Sequence, residues 1–305
     1  MRHCMNFPTS KVQPDRANVD VLPDGASRLS PEDRAALQRA ISELERSSLA
    51  IRLSAILGRQ ASALASFVPA PLAETANRAA QAAIRSSLNV AMKSLAGKPL
   101  RDRRRMHKSL AVLAGAAGGA FGVSSLPLEL PFSTTIILRS IADIARAEGH
   151  DLEDPRAVLA CLEVFALGGQ AASDGAFKFR NIHAQVRLKE GAILETGYFA
   201  LRAILAKSVS EAASHLAGRG TTSMAAPALI RFVGQIGAHF GVAVSQKFVA
   251  QTVPLIGAAG GAAINYAFAD HFQSIARGHF TVMRLERRYG ERIIRTEYDQ
   301  MRRAA

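Results

Sequence analysis

Tryptophan is absent from this 305-residue chain, and all aromatics together make up 6% of it. A core with so few large rings has to be filled mainly by aliphatic side chains and alanine, packed at ordinary interior density. Cysteine is almost missing too. Cys4 and Cys161 are too few for a disulfide framework or a cysteine zinc site, which makes a reduced compartment the expectation. Sustained period-2 alternation of β-branched residues does not occur, which argues against sheet. Long uncharged runs are scarce. Only 109–128 and 248–269 approach the ~20 apolar residues of a spanning helix, which argues against a multi-span transporter. The first residues contain no uninterrupted apolar core, so a signal peptide is not expected. Acids are in deficit: 25 Asp and Glu against 38 Lys and Arg leave a formal charge of +13. That excess favours a polyanionic partner.

What is present is glycine in clusters. Gly-Ala-Ala-Gly-Gly-Ala occurs at 115–120 and again at 257–262. Glycine inside a helix costs about 1 kcal/mol against alanine, so clustering needs a reason. Gly115 with Gly119, Gly118 with Gly122, and Gly257 with Gly261 each share a helix face, with Gly260 beside the last pair. Such faces predict smooth grooves in which two helices approach closely.

The punctuation predicts an all-α multi-helix bundle. Residues 1–29 are polar and proline-bearing and are expected to form a disordered tail, with one helical domain over 30–303. Ser30-Pro31-Glu32-Asp33 reads as a helix start, with helical pattern to about Ser66. Further helices are expected over 72–95, from Pro131 to Glu148, from Asp154-Pro155 to Gly168-Gly169, over about 190–216, and from a Thr222 or Ser223 cap to Pro254. The second glycine cluster leads into a long helix reaching Tyr289-Gly290, and 291–303 form a short helical end.

Two sequence blocks resemble the EcsC protein family. One is Leu126-Pro127-Leu128-Glu129-Leu130-Pro131 with Thr134-Thr135, Arg139-Ser140-Ile141-Ala142 and Gly149. The other is Ser245-Gln246-Lys247, Pro254, Gly257, Gly260-Gly261, Asn265 and Phe268, closing with Arg284-Leu285-Glu286 and Tyr289-Gly290. The family is named from a gene beside an ABC transporter, so the resemblance implies a link to membrane transport or secretion. It implies no catalytic residues.

Candidate sites follow from charge. Lys98, Arg101, Arg103, Arg104, Arg105 and Lys108 form a basic run just before the uncharged 109–128, a pattern suited to an anionic lipid surface on the cytoplasmic side. Glu129 is the only acid between Asp102 and Asp143, and buried it needs a partner or a proton. Either it is a structural acid near the start of the Pro131 helix, satisfying free backbone N–H groups, or it pairs with Lys247 or Arg139 in an apolar interior, with Asn265 as a further polar member. The histidines lack metal-ligand spacing, and the glycine stretch lacks the Gly-Lys-Ser/Thr ending of a phosphate loop. No metal, cofactor or nucleic-acid partner is therefore expected, and the oligomeric state stays open. The expectation is a non-enzymatic accessory protein peripherally bound to the inner face of the plasma membrane, possible partner of a membrane transporter. The alternatives are a hydrolase with a site around Glu129 and Lys247, or a pore-forming protein that inserts its two apolar segments.

Overall fold

The computed structural model describes residues 29–45, 49, 52–53, 70–94, 126–169, 198–219, 226–251 and 257–304. Among them are eight α-helices and no strand: α1 (Pro31–Leu44), α2 (Ala70–Ser94), α3 (Leu126–Ala147), α4 (Pro155–Gly168), α5 (Tyr198–Arg219), α6 (Pro227–Gln251), α7 (Gly257–Tyr289) and α8 (Glu291–Ala304).

Several boundaries follow directly from local chemistry. Ser30 caps α1, its Oγ accepting from the Asp33 amide at 3.2 Å, with Pro31 at the first helical position. Asp154 caps α4 in the same way, accepting from the Arg156 amide at 2.8 Å, again ahead of a proline. At the end of α3, Gly149 takes φ +75°. Its amide reaches the Arg146 carbonyl at 2.9 Å and the His150 amide reaches the Ala145 carbonyl at 3.0 Å, the paired closure of a left-handed helix end.

Other boundaries differ from expectation. α3 begins at Leu126 and carries Pro131 inside it, rather than starting there. Pro127 occupies the start, where its missing amide costs nothing, and Pro131 lies little more than a turn further on. Thr135 Oγ1 donates to the Pro131 carbonyl at 2.8 Å and Ser133 Oγ to the Leu130 carbonyl at 3.2 Å. α1 stops at Leu44 instead of continuing unbroken, the described residues beyond Glu45 being only 49 and 52–53. α5 is described from Tyr198 and α6 starts at Pro227; the expected start near 190 and the Thr222 or Ser223 cap lie outside the described residues.

α4 is the axis of the bundle. Every residue from Ala157 to Gly168 is buried, and the helix touches α2, α3, α5, α6 and α7. Beyond this hub, α2 packs most extensively on α6, and α1 lies along α7. The few aromatics are concentrated here: Phe165 of α4 meets Phe240 of α6 and Phe272 of α7 with ring centroids 4.8 and 5.3 Å apart, and Phe268 meets Phe272 at 5.0 Å. Edge-on and tilted rings at such spacings are favourable beyond their area. At the periphery, Asp33 accepts from Tyr289 Oη at 2.7 Å and Arg288 Nη1 at 2.9 Å, which fastens α1 to the end of α7.

Among the described residues, glycine brings helices together at Gly169, Gly237 and Gly241. Residues 115–122 lie outside the described residues. Gly257, Gly260 and Gly261 open α7, with Gly261 buried and Gly260 half-buried. A Cβ on Gly237 would stand 2.4 Å from Gln81 Cγ and one on Gly241 3.1 Å from Asn77 Cα, so these two, four apart on α6, seat it against α2. A Cβ on Gly169 would stand 2.1 Å from the His239 carbonyl oxygen, whereas one on Gly234 would meet nothing within 4 Å.

These contrasts set opposite signs. Gly169→Ala is expected to lower stability by about 1–3 kcal/mol through backbone displacement. Gly234→Ala is expected to raise it by about 0.5–1 kcal/mol through helix propensity. Urea unfolding of the two variants checks both.

Candidate functional site

The first turn of α3, the last part of α6 and the third turn of α7 meet at one buried polar cluster. Glu129 lies in the first turn of α3, where the free amides of a helix start favour a carboxylate. Its Oε1 accepts from Lys247 Nζ of α6 at 2.7 Å and from Asn265 Nδ2 of α7 at 2.9 Å. The Lys247 side chain is 0% exposed and that of Glu129 4% exposed. Lys247 Nζ also stands 5.3 Å from the centre of the Phe268 ring, at the edge of the aromatic core. Burial pushes the Lys247 ammonium below its ordinary pKa, and the Glu129 charge and hydrogen bond pull it back.

Three of the four anticipated residues therefore come together, and Arg139 does not. Arg139 is exposed on α3, because the Ile137–Ile141 stripe turns inward and carries position 139 to the solvent side. The cluster compensates charge: a buried ammonium is paired at 2.7 Å to a buried carboxylate. Among the described residues, no group of three or more His, Cys, Asp or Glu side chains forms a metal-binding set.

Only parts of the two apolar segments are among the described residues. Of 109–128, residues 126–128 lie in α3 and the remainder, like the basic run 98–108, lies outside the described residues. The second segment, 248–269, is not one helix: α6 stops at Gln251, α7 starts at Gly257, and Asn265 within it is bonded to Glu129. One described stretch, Pro227–Val249, is long and apolar enough to cross a membrane, with mean hydropathy 1.3 and 56% of its window buried. It is the helix that seats α2, α4 and α5, and it contains Arg231 and Lys247.

Several other signature residues also have structural partners, whereas the buried Thr134 Oγ1 has no hydrogen-bond partner among the described residues. Ser87 Oγ lies 3.2 Å from Thr135 Oγ1; since Thr135 donates to Pro131, Ser87 is the donor. Ser140 Oγ accepts from Gln273 Nε2 at 3.1 Å, and Ser245 Oγ donates to the Gly241 carbonyl at 2.7 Å. Arg284 Nε donates to Glu148 at 2.8 Å, and Gly290 takes φ +92° between α7 and α8. His271, one of the histidines without metal spacing, is buried with Nε2 2.7 Å from the Gly168 carbonyl; burial moves its pKa down to about 4.

A second buried cluster has no forerunner in the sequence reading. Glu286 of α7 takes a two-pronged pair from Arg202 of α5 at 2.7 and 3.0 Å. Tyr198 Oη lies 2.9 Å from His279 Nδ1, and His279 Nε2 lies 3.9 Å from Glu163 Oε2. Glu163 could have been noticed as the one acid inside the apolar α4.

The fold and its cluster thus define an all-α bundle whose helix ends are tied by a buried ion pair. The family model described as the EcsC protein family matches residues 34–285, and the chain belongs to that family. No curated protein and no solved structure matches it.

Removing one partner strands the other's charge in the interior. Lys247→Met is expected to cost about 3–5 kcal/mol in urea unfolding.

Proposed function

We propose that this EcsC-family protein is a non-enzymatic accessory protein that docks on anionic lipid at the cytoplasmic face of a membrane, acting beside a membrane transporter or in envelope maintenance. The observation that carries the reading is the order of residues along the chain leading into α3. Six cations between Lys98 and Lys108 are followed by a stretch without charge, which runs into the first turn of α3. That turn is fixed to α6 and α7 by Glu129, Lys247 and Asn265. A net charge of +13 favours contact with a negative surface. Each cation near an anionic leaflet contributes about 1 kcal/mol, falling off over a Debye length. The internally compensated Glu129–Lys247 pair supports a binding role over a hydrolytic one, because both groups are engaged with each other.

Vesicle flotation tests this. The protein is expected to float with vesicles containing phosphatidylserine and not with neutral phosphatidylcholine vesicles, and raised salt should release it. Replacing Arg103, Arg104 and Arg105 by Gln should weaken partitioning about 100-fold. Equal flotation with both vesicle types would contradict the reading.

A further inference from the structure

Glu163 is the single acid among the buried residues of α4, and its side chain is 10% exposed. Arg202, which acts on it electrostatically, is already committed to Glu286 through two hydrogen bonds. What faces Glu163 instead is His279 Nε2, at 3.9 Å, too far for a hydrogen bond. That nitrogen is buried and has no hydrogen-bond partner among the described residues.

The donor order can be worked out atom by atom. Arg202 can only donate, so Tyr198 Oη accepts from Arg202 Nη1 at 3.4 Å. The phenol's own hydrogen goes to its other partner, His279 Nδ1, at 2.9 Å. A neutral imidazole that accepts at Nδ1 carries its hydrogen at Nε2. The hydrogens therefore run Arg202 to Tyr198 to His279, and the last one is directed at the Glu163 carboxyl.

We propose that this chain of donors is a proton-responsive latch between α4, α5 and α7: ionised Glu163 draws the His279 Nε2 hydrogen into a direct, charge-assisted bond, and protonated Glu163 instead has a hydrogen of its own to place. A protonated carboxyl still offers an oxygen to the N–H, but without the charge that strengthens the bond, and it gains a buried hydrogen that needs an acceptor. His279 Nε2 becomes that acceptor when the ring shifts its proton to Nδ1, which then donates to Tyr198 and turns the phenolic hydrogen elsewhere. Tyr198 stacks on Tyr298 of α8 at 5.9 Å and 18°, so the change extends to the last helix. The latch is independent of membrane docking.

The surroundings hold the titration on these groups. Burial pushes the Glu163 carboxyl up to about 7, against the pull of Arg202. Burial, with Arg202 and His150, holds the His279 ring well below its ordinary value, so it stays neutral. Besides Glu163, the groups facing the latch are Tyr198 and Arg202 from α5, His279 and Glu286 from α7, and His150 from the α3–α4 connection. Tyr298 joins from α8. Arg146 of α3 acts on the neighbouring Cys161, and His239 of α6 lies at the far end of α4 against Gly169. Glu74, Arg78 and Arg85 of α2 are exposed.

The sign of the pH dependence follows. A carboxyl whose folded pKa exceeds its unfolded value favours the folded state at low pH and loses that contribution as pH rises through about 7. Glu163→Gln should thus raise the urea midpoint relative to the parent at about pH 8 and not at about pH 5. The direct test uses the full chain: difference infrared spectroscopy of the carboxyl stretch, with nitrogen NMR of the His279 tautomer. A protonated-carboxyl band that titrates near neutrality, is lost in Glu163→Gln, and moves in step with a change of His279 from Nε2–H to Nδ1–H is expected. A Glu163 titration in the ordinary carboxylate range, or a His279 tautomer that is constant across it, overturns the latch.

Discussion

A carboxylate and an ammonium buried together at 2.7 Å, Glu129 and Lys247, decide how three helices can meet. Neither charge is tolerable inside without the other, and an ion pair of this kind adds little net stability against an apolar replacement. Its effect is on arrangement. The start of α3, the end of α6 and the third turn of α7 have one alignment in which the pair closes and Asn265 bonds the same oxygen. Any slip of one helix by a turn leaves a buried charge alone.

Around that tie the bundle is assembled from modest parts. α4 supplies a fully buried axis, Phe165, Phe240, Phe268 and Phe272 supply the ring cluster, and glycines at 237 and 241 let α6 settle on α2. At the opposite reaches of the sequence, Asp33 is held by Tyr289 and Arg288, and Arg202 by Glu286. Of the charged residues in the EcsC signature, Glu129, Lys247, Arg284 and Glu286 tie helix ends and helix crossings.

The sequence carried the helical architecture well where caps are explicit. Ser30-Pro31, Asp154-Pro155 and Gly149 act through their own backbones, so their boundaries are local facts. It misled at Pro131, because a second proline four residues earlier moved the helix start. The Glu129–Lys247 pairing was legible because an isolated acid in an apolar stretch must find a cation. Arg139 was a wrong partner only because helix phase, invisible in a list of charges, turns it outward. The glycine contacts at 237 and 241 and the Glu163–His279–Tyr198 cluster were not legible. They depend on which helices become neighbours, and His279 and Tyr198 are 81 positions apart.

Native-state hydrogen exchange on Glu129→Gln tests the tie most directly. If the buried pair aligns α3, α6 and α7, protection should fall together in the first turns of α3, the end of α6 and the start of α7, while the α1 contact with the end of α7 keeps its protection. Unchanged exchange at those three helix ends, or an equal loss across the whole bundle, would contradict the account.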